Sequence, residues 1–186
     1  MSNKIEDFNK YSGNWYSFLD ANCCDRKTFK VVEQKYSLNL NLSIRDKDVL
    51  YFRLEEFKEF LSGSKTCGPK DCDLTILEGK DIYQIEIKDR SDCSKVVEGA
   101  KKQLESGDNL LRFILWFVDP EKMCGLKDIK PKHAILFVRQ RDTLVRGYNP
   151  KEEEGCVKLY RFIDKQQKRG TFDLRKIMET IKGIQY

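Results

Sequence analysis

Histidine is almost missing from this chain: His133 is the only one in 186 residues. A Ser–His or Cys–His nucleophilic system would have to use that one residue. It stands just before the apolar run Ala134-Ile-Leu-Phe-Val138, with no distinctive serine or cysteine motif beside it. A structural histidine at a strand edge is therefore the expectation. Long hydrophobic runs are missing as well. None approaches the ~20 residues of a membrane span, so no membrane association is expected. The opening Met1-Ser-Asn-Lys-Ile-Glu-Asp7 lacks the basic-then-apolar order of a secretory signal, which points to an intracellular, cytoplasmic protein. Cysteine is plentiful, at seven, yet the Cys-x-x-Cys knuckles of zinc sites are absent. Cys23 and Cys24 are adjacent, and Cys67 and Cys72 flank Gly68-Pro69. Reduced thiols buried as small hydrophobes are the default, with a metal cluster or an intracellular disulfide as alternatives.

What is present suits one globular domain spanning residues 1–186. Hydrophobic residues make up 40% and charged residues 35%, too apolar for a disordered chain and enough for a core with a heavily charged surface. The net charge of +5 permits nucleic-acid binding without demanding it.

Periodicity divides the chain into elements. Phe8, Tyr11, Trp15, Phe18 and Leu19 have helical spacing, and Arg26–Gln34 is expected to prolong them as a second helix. Leu38, Leu40, Leu42 and Ile44 alternate with polar residues, as a half-buried strand requires. Val49–Leu61 reads as helix, closed by the Gly- and Pro-containing loop at 62–70. Asp73–Leu77 and Ile82–Lys88 read as two strands of a hairpin. A helix capped by Ser91 or Asp92 should carry Val96, Val97, Ala100 and Leu104 and end at Gly107. The apolar runs Leu110–Val118 and Ala134–Val138 read as strands inside a covered sheet. Val157–Ile163 is a weaker strand, and Thr171–Ile184 a closing helix with Leu174, Ile177, Met178 and Ile181 inward. The expected architecture is α/β, a mixed sheet flanked by helices.

The hairpin carries the chemistry. A turn at Gly79-Lys80 pairs residues whose numbers share one sum, and Asp73 then stands opposite Glu86, with Cβ atoms ~4.5–5.5 Å apart. Lys88, two residues on, projects from the same face. The other face holds Leu74, Ile76, Tyr83, Ile85 and Ile87, so it belongs to the core, and a one-residue slip would bury the charges there. Opposed carboxylates repel unless a cation lies between them. Hard oxygen donors without cysteine or histidine favour Mg²⁺ or Mn²⁺. The tripeptide Glu-x-Lys is not distinctive in itself, since it occurs four times. Only Glu86-Ile-Lys88 combines an apolar strand with a same-face aspartate on the strand before it. The bland alternative is a solvated, salt-bridged sheet face.

Asp73 followed after twelve residues by Glu86-Ile-Lys88 resembles the Asp…Glu-x-Lys signature of the PD-(D/E)xK nuclease superfamily, which includes restriction endonucleases and Holliday-junction resolvases. The resemblance spans about residues 30–140 and is firm over 72–104. It implies a restriction-endonuclease-like core and a Mg²⁺- or Mn²⁺-dependent nuclease acting on DNA, with an endonuclease favoured. Asp73 and Glu86 would be metal ligands, the carbonyl of Ile87 would complete the metal shell, and Lys88 would be the catalytic lysine. Gln103 resembles the glutamine that many members carry in the following helix, there to contact substrate or the site lysine; a plain helix-surface residue is the alternative. Two departures stand out. Pro69 precedes Asp73 by four residues, with Cys72 in the adjacent place. The acidic residue that many members bring from an early helix could be Asp20, Asp25, Glu33 or Glu56. A DNA track is expected along Arg90, Lys95, Lys101, Lys102, Arg139 and Arg141, with a plain solvated charge as the alternative for each. By analogy with members that cut both strands, a homodimer is expected. The rival reading is a non-catalytic nucleic-acid-binding protein that keeps the nuclease fold.

Overall fold

The computed structural model describes residues 28–33, 36–41, 49–55, 58–59, 63–64, 68–78, 81–88, 93–118, 130–141, 149–153, 156–164 and 169–184. The helix expected over Phe8–Leu19 lies outside them. Among the described residues, nine strands fall into two sheets. A three-stranded sheet joins β1 (Thr28–Glu33), β2 (Tyr36–Asn41) and β9 (Arg169–Asp173) in the order β1-β2-β9. The other six strands are β3 (Val49–Phe52), β4 (Leu74–Glu78), β5 (Asp81–Lys88), β6 (Lys132–Arg141), β7 (Asn149–Glu153) and β8 (Cys156–Asp164). They form one sheet in the order β3-β4-β5-β6-β8-β7. It is mixed: β5, β6 and β8 run parallel, while β3, β4 and β7 pair antiparallel. Helix α1 (Ser94–Val118) is the crossover between parallel β5 and β6, and α2 (Leu174–Ile184) follows β9. The α/β class expected from the element pattern is the class observed.

The two faces of the six-stranded sheet differ in chemistry. One buries Leu74, Ile76, Tyr83, Ile85, Ile87, Ala134, Leu136, Val138, Val157 and Leu159 against Leu174, Ile177, Met178 and Ile181 of α2. This is the apolar side of the hairpin pattern continued across the sheet, and α2 covers it with its own i, i+3, i+4, i+7 stripe. Asp173 caps α2, its Oδ1 accepting the Arg175 and Lys176 backbone N–H groups at 3.1 and 3.4 Å. That cap explains why Thr171 belongs to β9 and the helix begins only at Leu174. Arg175 and Lys182 of α2 also reach Glu78 at the hairpin turn, the latter at 2.8 Å. Burial pushes Glu78 up, but these two cations outweigh it and hold its carboxyl below the usual range.

Three helix–strand expectations are corrected. Thr28–Glu33, placed in a second helix, is strand β1; its Thr, Phe and paired Val residues suit a pleated surface. Val49–Phe52, read as the start of a helix, is the edge strand β3, and helical geometry begins only at Leu54. Leu110–Val118, read as a buried strand, is the second half of α1. Its buried positions Leu111 and Ile114 continue the series Val97, Ala100, Leu104 and Gly107 at alternating spacings of three and four, so one helical face runs through the whole element. The strand Ala134–Val138 is present, the expected strand at Val157–Ile163 is β8 beside it, and the unforeseen β7 extends the sheet beyond.

Gly107 explains the helix misreading. Expected as a C-cap, it lies inside α1 and packs tightly against Cys72 and Gln84. A Cβ added there would meet Cys72 Sγ at 3.0 Å and the Gln84 amide at 3.0 and 3.2 Å. The glycine weakens the helix locally by about 1 kcal/mol relative to alanine but lets it seat on the sheet. Among the described residues, no helix is long and apolar enough to cross a membrane. Gly107→Ala is expected to destabilise the protein by on the order of 1 kcal/mol, because overpacking against buried Gln84 and Cys72 exceeds the gain in propensity. Urea denaturation measures it, and a stabilised variant would mean that α1 sits farther from β5 than described.

Candidate active site

The observed pairs Leu74 with Ile85, Ile76 with Tyr83 and Glu78 with Asp81 set the register that places Asp73, the residue just before β4, opposite Glu86. Side chains then take over where the ladder of backbone hydrogen bonds would continue. The Ile87 N–H donates to Asp73 Oδ2 at 2.7 Å, and the Asp73 N–H donates to Glu86 Oε2 at 3.2 Å. Each carboxylate is thus held by backbone of the opposite segment, which fixes both in the face-to-face arrangement that their charges oppose. Lys88 Nζ donates to Glu86 Oε1, and to Gln103 Oε1 of α1 at 2.9 Å.

The face they share is not the solvated sheet face of the bland alternative. Glu86 is 1% exposed, Thr75 and Gln84 are fully buried, and only the Lys88 end opens to solvent, at 21% side-chain exposure. The cover is α1, whose buried positions lie over this side of the hairpin and β6. Both side-chain polar atoms of Gln84 are buried without a hydrogen-bond partner among the described residues. His133, the strand-edge histidine, sits beside Gln84 in the sheet and ties β6 to α1 through its Nε2, 3.0 Å from Asp108 Oδ1. The structural reading of His133 fits this contact.

Burial sets the electrostatics. Glu86 is pushed up to about 8, first by loss of solvation and second by the charge of Asp73; Lys88 and the Asp73 N–H offset this only in part. The neighbouring Cys72 thiol is raised well above its ordinary value, chiefly by burial and further by Glu86, Asp71 and Asp73, so at neutral pH it stays a thiol. It therefore offers no thiolate to compete with the oxygen donors. A carboxyl displaced this far beside a second carboxylate and a lysine marks this cluster as the candidate site.

The other expected site residues distribute as follows. Ile87 puts its side chain in the core and its backbone at the carboxylate pair. Gln103, for which contact with substrate, contact with the site lysine and an idle surface position were open, touches Lys88. Lys95 is exposed in the first turn of α1, and Lys101 is half-buried farther along it. Lys102 is exposed and paired with Glu98 at 2.9 Å. Arg139 and Arg141 follow Phe137 on β6 by two and four residues, and Phe137 is the residue in register with Lys88. Arg90, Asp20, Asp25 and Glu56 lie outside the described residues, while Glu33 ends β1 in the three-stranded sheet. Sequence reasoning missed Lys58 and Asp71, a nearly buried ion pair at 3.1 Å that ties the helical residue Lys58 to the segment leading into Asp73. Nothing in the sequence marks that lysine as buried. No family model, no curated protein and no solved structure matches this chain.

The displaced carboxyl makes stability depend on pH. Between about pH 4.5 and about 8 the folded chain keeps on Glu86 a proton that the unfolded chain has released. The folded state binds more protons in that window, so this contribution to stability falls as pH rises through it. In EDTA, the wild-type urea midpoint should decline relative to that of Glu86→Gln between pH 5 and pH 8.5. Parallel pH profiles for the two proteins would show that Glu86 titrates normally.

Proposed function

We propose that this protein is a metal-dependent nuclease that hydrolyses DNA phosphodiester bonds, with Asp73, Glu86 and Lys88 as its reactive centre and an endonuclease as the favoured form. The observation that carries the reading is the burial of Glu86, locked opposite Asp73 and hydrogen-bonded to Lys88 under a helix. A carboxyl kept from ionising by burial and by a neighbouring aspartate costs stability that a structural role does not repay. The finer fold reading, a restriction-endonuclease-like core, belongs with this proposal. Its support is the order of parts: aspartate before one strand, Glu-x-Lys on its antiparallel neighbour, a helix directly after, and a parallel strand beside it.

The donor set suits Mg²⁺ or Mn²⁺. Asp73 and Glu86 offer hard oxygens, and the backbone of Ile87 adjoins them. Among the described residues no group of three His, Cys, Asp or Glu side chains could cage an ion. Mg²⁺ needs no such cage, because it commonly keeps waters and takes one or two carboxylates together with substrate phosphate. When bound, such an ion supplies Lewis acidity and a more acidic water. Ionised Glu86 is the form that binds a cation, so affinity should rise up to about pH 8. Lys88 would orient the attacking water and stabilise charge developing on the phosphate. Gln103 holds that ammonium from the helix side.

DNA is the proposed partner, its backbone following Lys101 and Lys102 of α1 and the Arg139–Arg141 end of β6, with Arg90 adjoining in sequence. A homodimer would bring two such centres to the two strands. Cleavage of a panel of duplex, flap, junction and single-stranded DNA with Mg²⁺, Mn²⁺ or EDTA tests the proposal. Metal-dependent cutting that Asp73→Asn abolishes without unfolding supports it. Binding without cutting under every metal would instead mark a nucleic-acid-binding protein that only keeps the site. Lys88→Ala should lower the rate at saturating DNA by about 10²–10⁴-fold with little change in affinity; weak binding with normal cutting would make Lys88 a phosphate anchor. Neutralising Lys101, Lys102, Arg139 and Arg141 together should flatten the slope of log K against log salt by about 0.9 per lost contact, and an unchanged slope would move the DNA track to another surface.

A further inference from the structure

Lys58 is a buried lysine, at 8% exposure. It follows β3 and donates both to the carbonyl of Pro69 and to Asp71 Oδ1, the latter at 3.1 Å. The Asp71 side chain is 9% exposed, and its second oxygen is buried without a hydrogen-bond partner among the described residues. A buried ion pair left with an unsatisfied oxygen is a poor source of stability, since two apolar residues of similar volume often serve as well or better. Its geometry has another consequence. The backbone carbonyl of Asp71 accepts Gln103 Nε2 at 3.4 Å, and Gln103 Oε1 accepts Lys88 Nζ at 2.9 Å. The carbonyl fixes which way the Gln103 amide points: only with nitrogen toward Asp71 does its oxygen face the Lys88 ammonium. A flipped amide would set carbonyl against carbonyl and NH₂ against ammonium.

We propose that Lys58 and Asp71 are positioning residues for Lys88, acting through the Asp71 carbonyl and the Gln103 amide. The inference rests on the reading of Lys88 as a catalytic residue. Among the described residues Lys88 has two partners, Glu86 and Gln103. Glu86 is the partner that a cation would draw away, so the brace is what keeps the ammonium in place once the carboxylates are engaged. Without it, Lys88 has only Glu86 to hold it and competes with the cation for that carboxylate.

The test separates bracing from folding. Lys58→Met leaves Asp71 as a lone buried charge and unfolding is a risk, so the second variant is Lys58→Met/Asp71→Leu, which removes both charges and should recover the urea midpoint. If the pair only supports the fold, activity returns with stability. If it positions Lys88, the double variant is as stable as wild type yet remains about 10²-fold slower at saturating DNA, the scale of loss expected from a misplaced reacting group, with KM within a few-fold. Adding Gln103→Leu to the double variant should cost almost nothing further, because all three residues act along one path; fully additive losses overturn the proposal. An arm independent of cleavage uses the Lys88 ¹³Cε–¹Hε resonance in metal-free protein, assigned with Lys88→Arg. It should move toward the free-lysine position in the double variant and in Gln103→Leu. An unmoved resonance overturns the brace whatever the activity. A moved resonance in a protein that cuts no DNA keeps the brace and removes the nuclease reading.

Discussion

The register between β4 and β5 is the constraint from which the site follows. Leu74, Ile76, Tyr83, Ile85 and Ile87 must face α2, and period-two alternation then sends Asp73, Thr75, Gln84, Glu86 and Lys88 to the other side. No intermediate register exists, because a shift by one residue would drive three charged groups into the apolar layer. The arrangement is held again at its open end, where the Ile87 and Asp73 N–H groups bind the two carboxylates reciprocally. The apolar core thus fixes, by exclusion, where two mutually repelling acids stand.

What gives those acids unusual chemistry is the helix above them. α1 lies over the polar side of the sheet, and Gly107 lets it approach until Cys72 and Gln84 are in contact range. That seat removes water from Glu86 and brings Gln103 within hydrogen-bonding reach of Lys88. It also leaves Gln84 with both polar atoms unpaired among the described residues, a cost of about 1–3 kcal/mol for each such group. Seating, desolvation and lysine placement are one structural fact, because a single helix does all three. The His133–Asp108 contact fastens the same helix to β6.

The charged groups divide by depth. At the hairpin turn, Glu78 is met by Arg175 and Lys182 and stays ionised in a half-open setting. At the other end, Glu86 has only part of Lys88 to balance burial and a neighbouring aspartate, and it is displaced the opposite way. The same residue type on two strands of one hairpin therefore has opposite behaviour, decided by how many cations surround it and how much water is left.

Much of this was legible in the linear pattern. Alternation of apolar and polar residues along Asp73–Lys88 is enough to derive the hairpin, the opposition of Asp73 and Glu86 and the shared face of Lys88, because strand geometry leaves only one pattern that buries the apolar set. The inward stripe of α2 is legible for the same reason. Burial of the polar face was not. An apolar run such as Leu110–Val118 suits a strand or a helix equally, and only contact with the sheet at Gly107 shows that a single helix continues through it. Thr28–Glu33 and Val49–Phe52 took strand form because neighbouring strands were there to pair with them. Lys58 and Asp71 gave no local signal at all. Their meeting is long-range, and whether a charge is buried depends on what folds over it. Local sequence determined which residues face the same way; tertiary structure alone decided which of them lost their water.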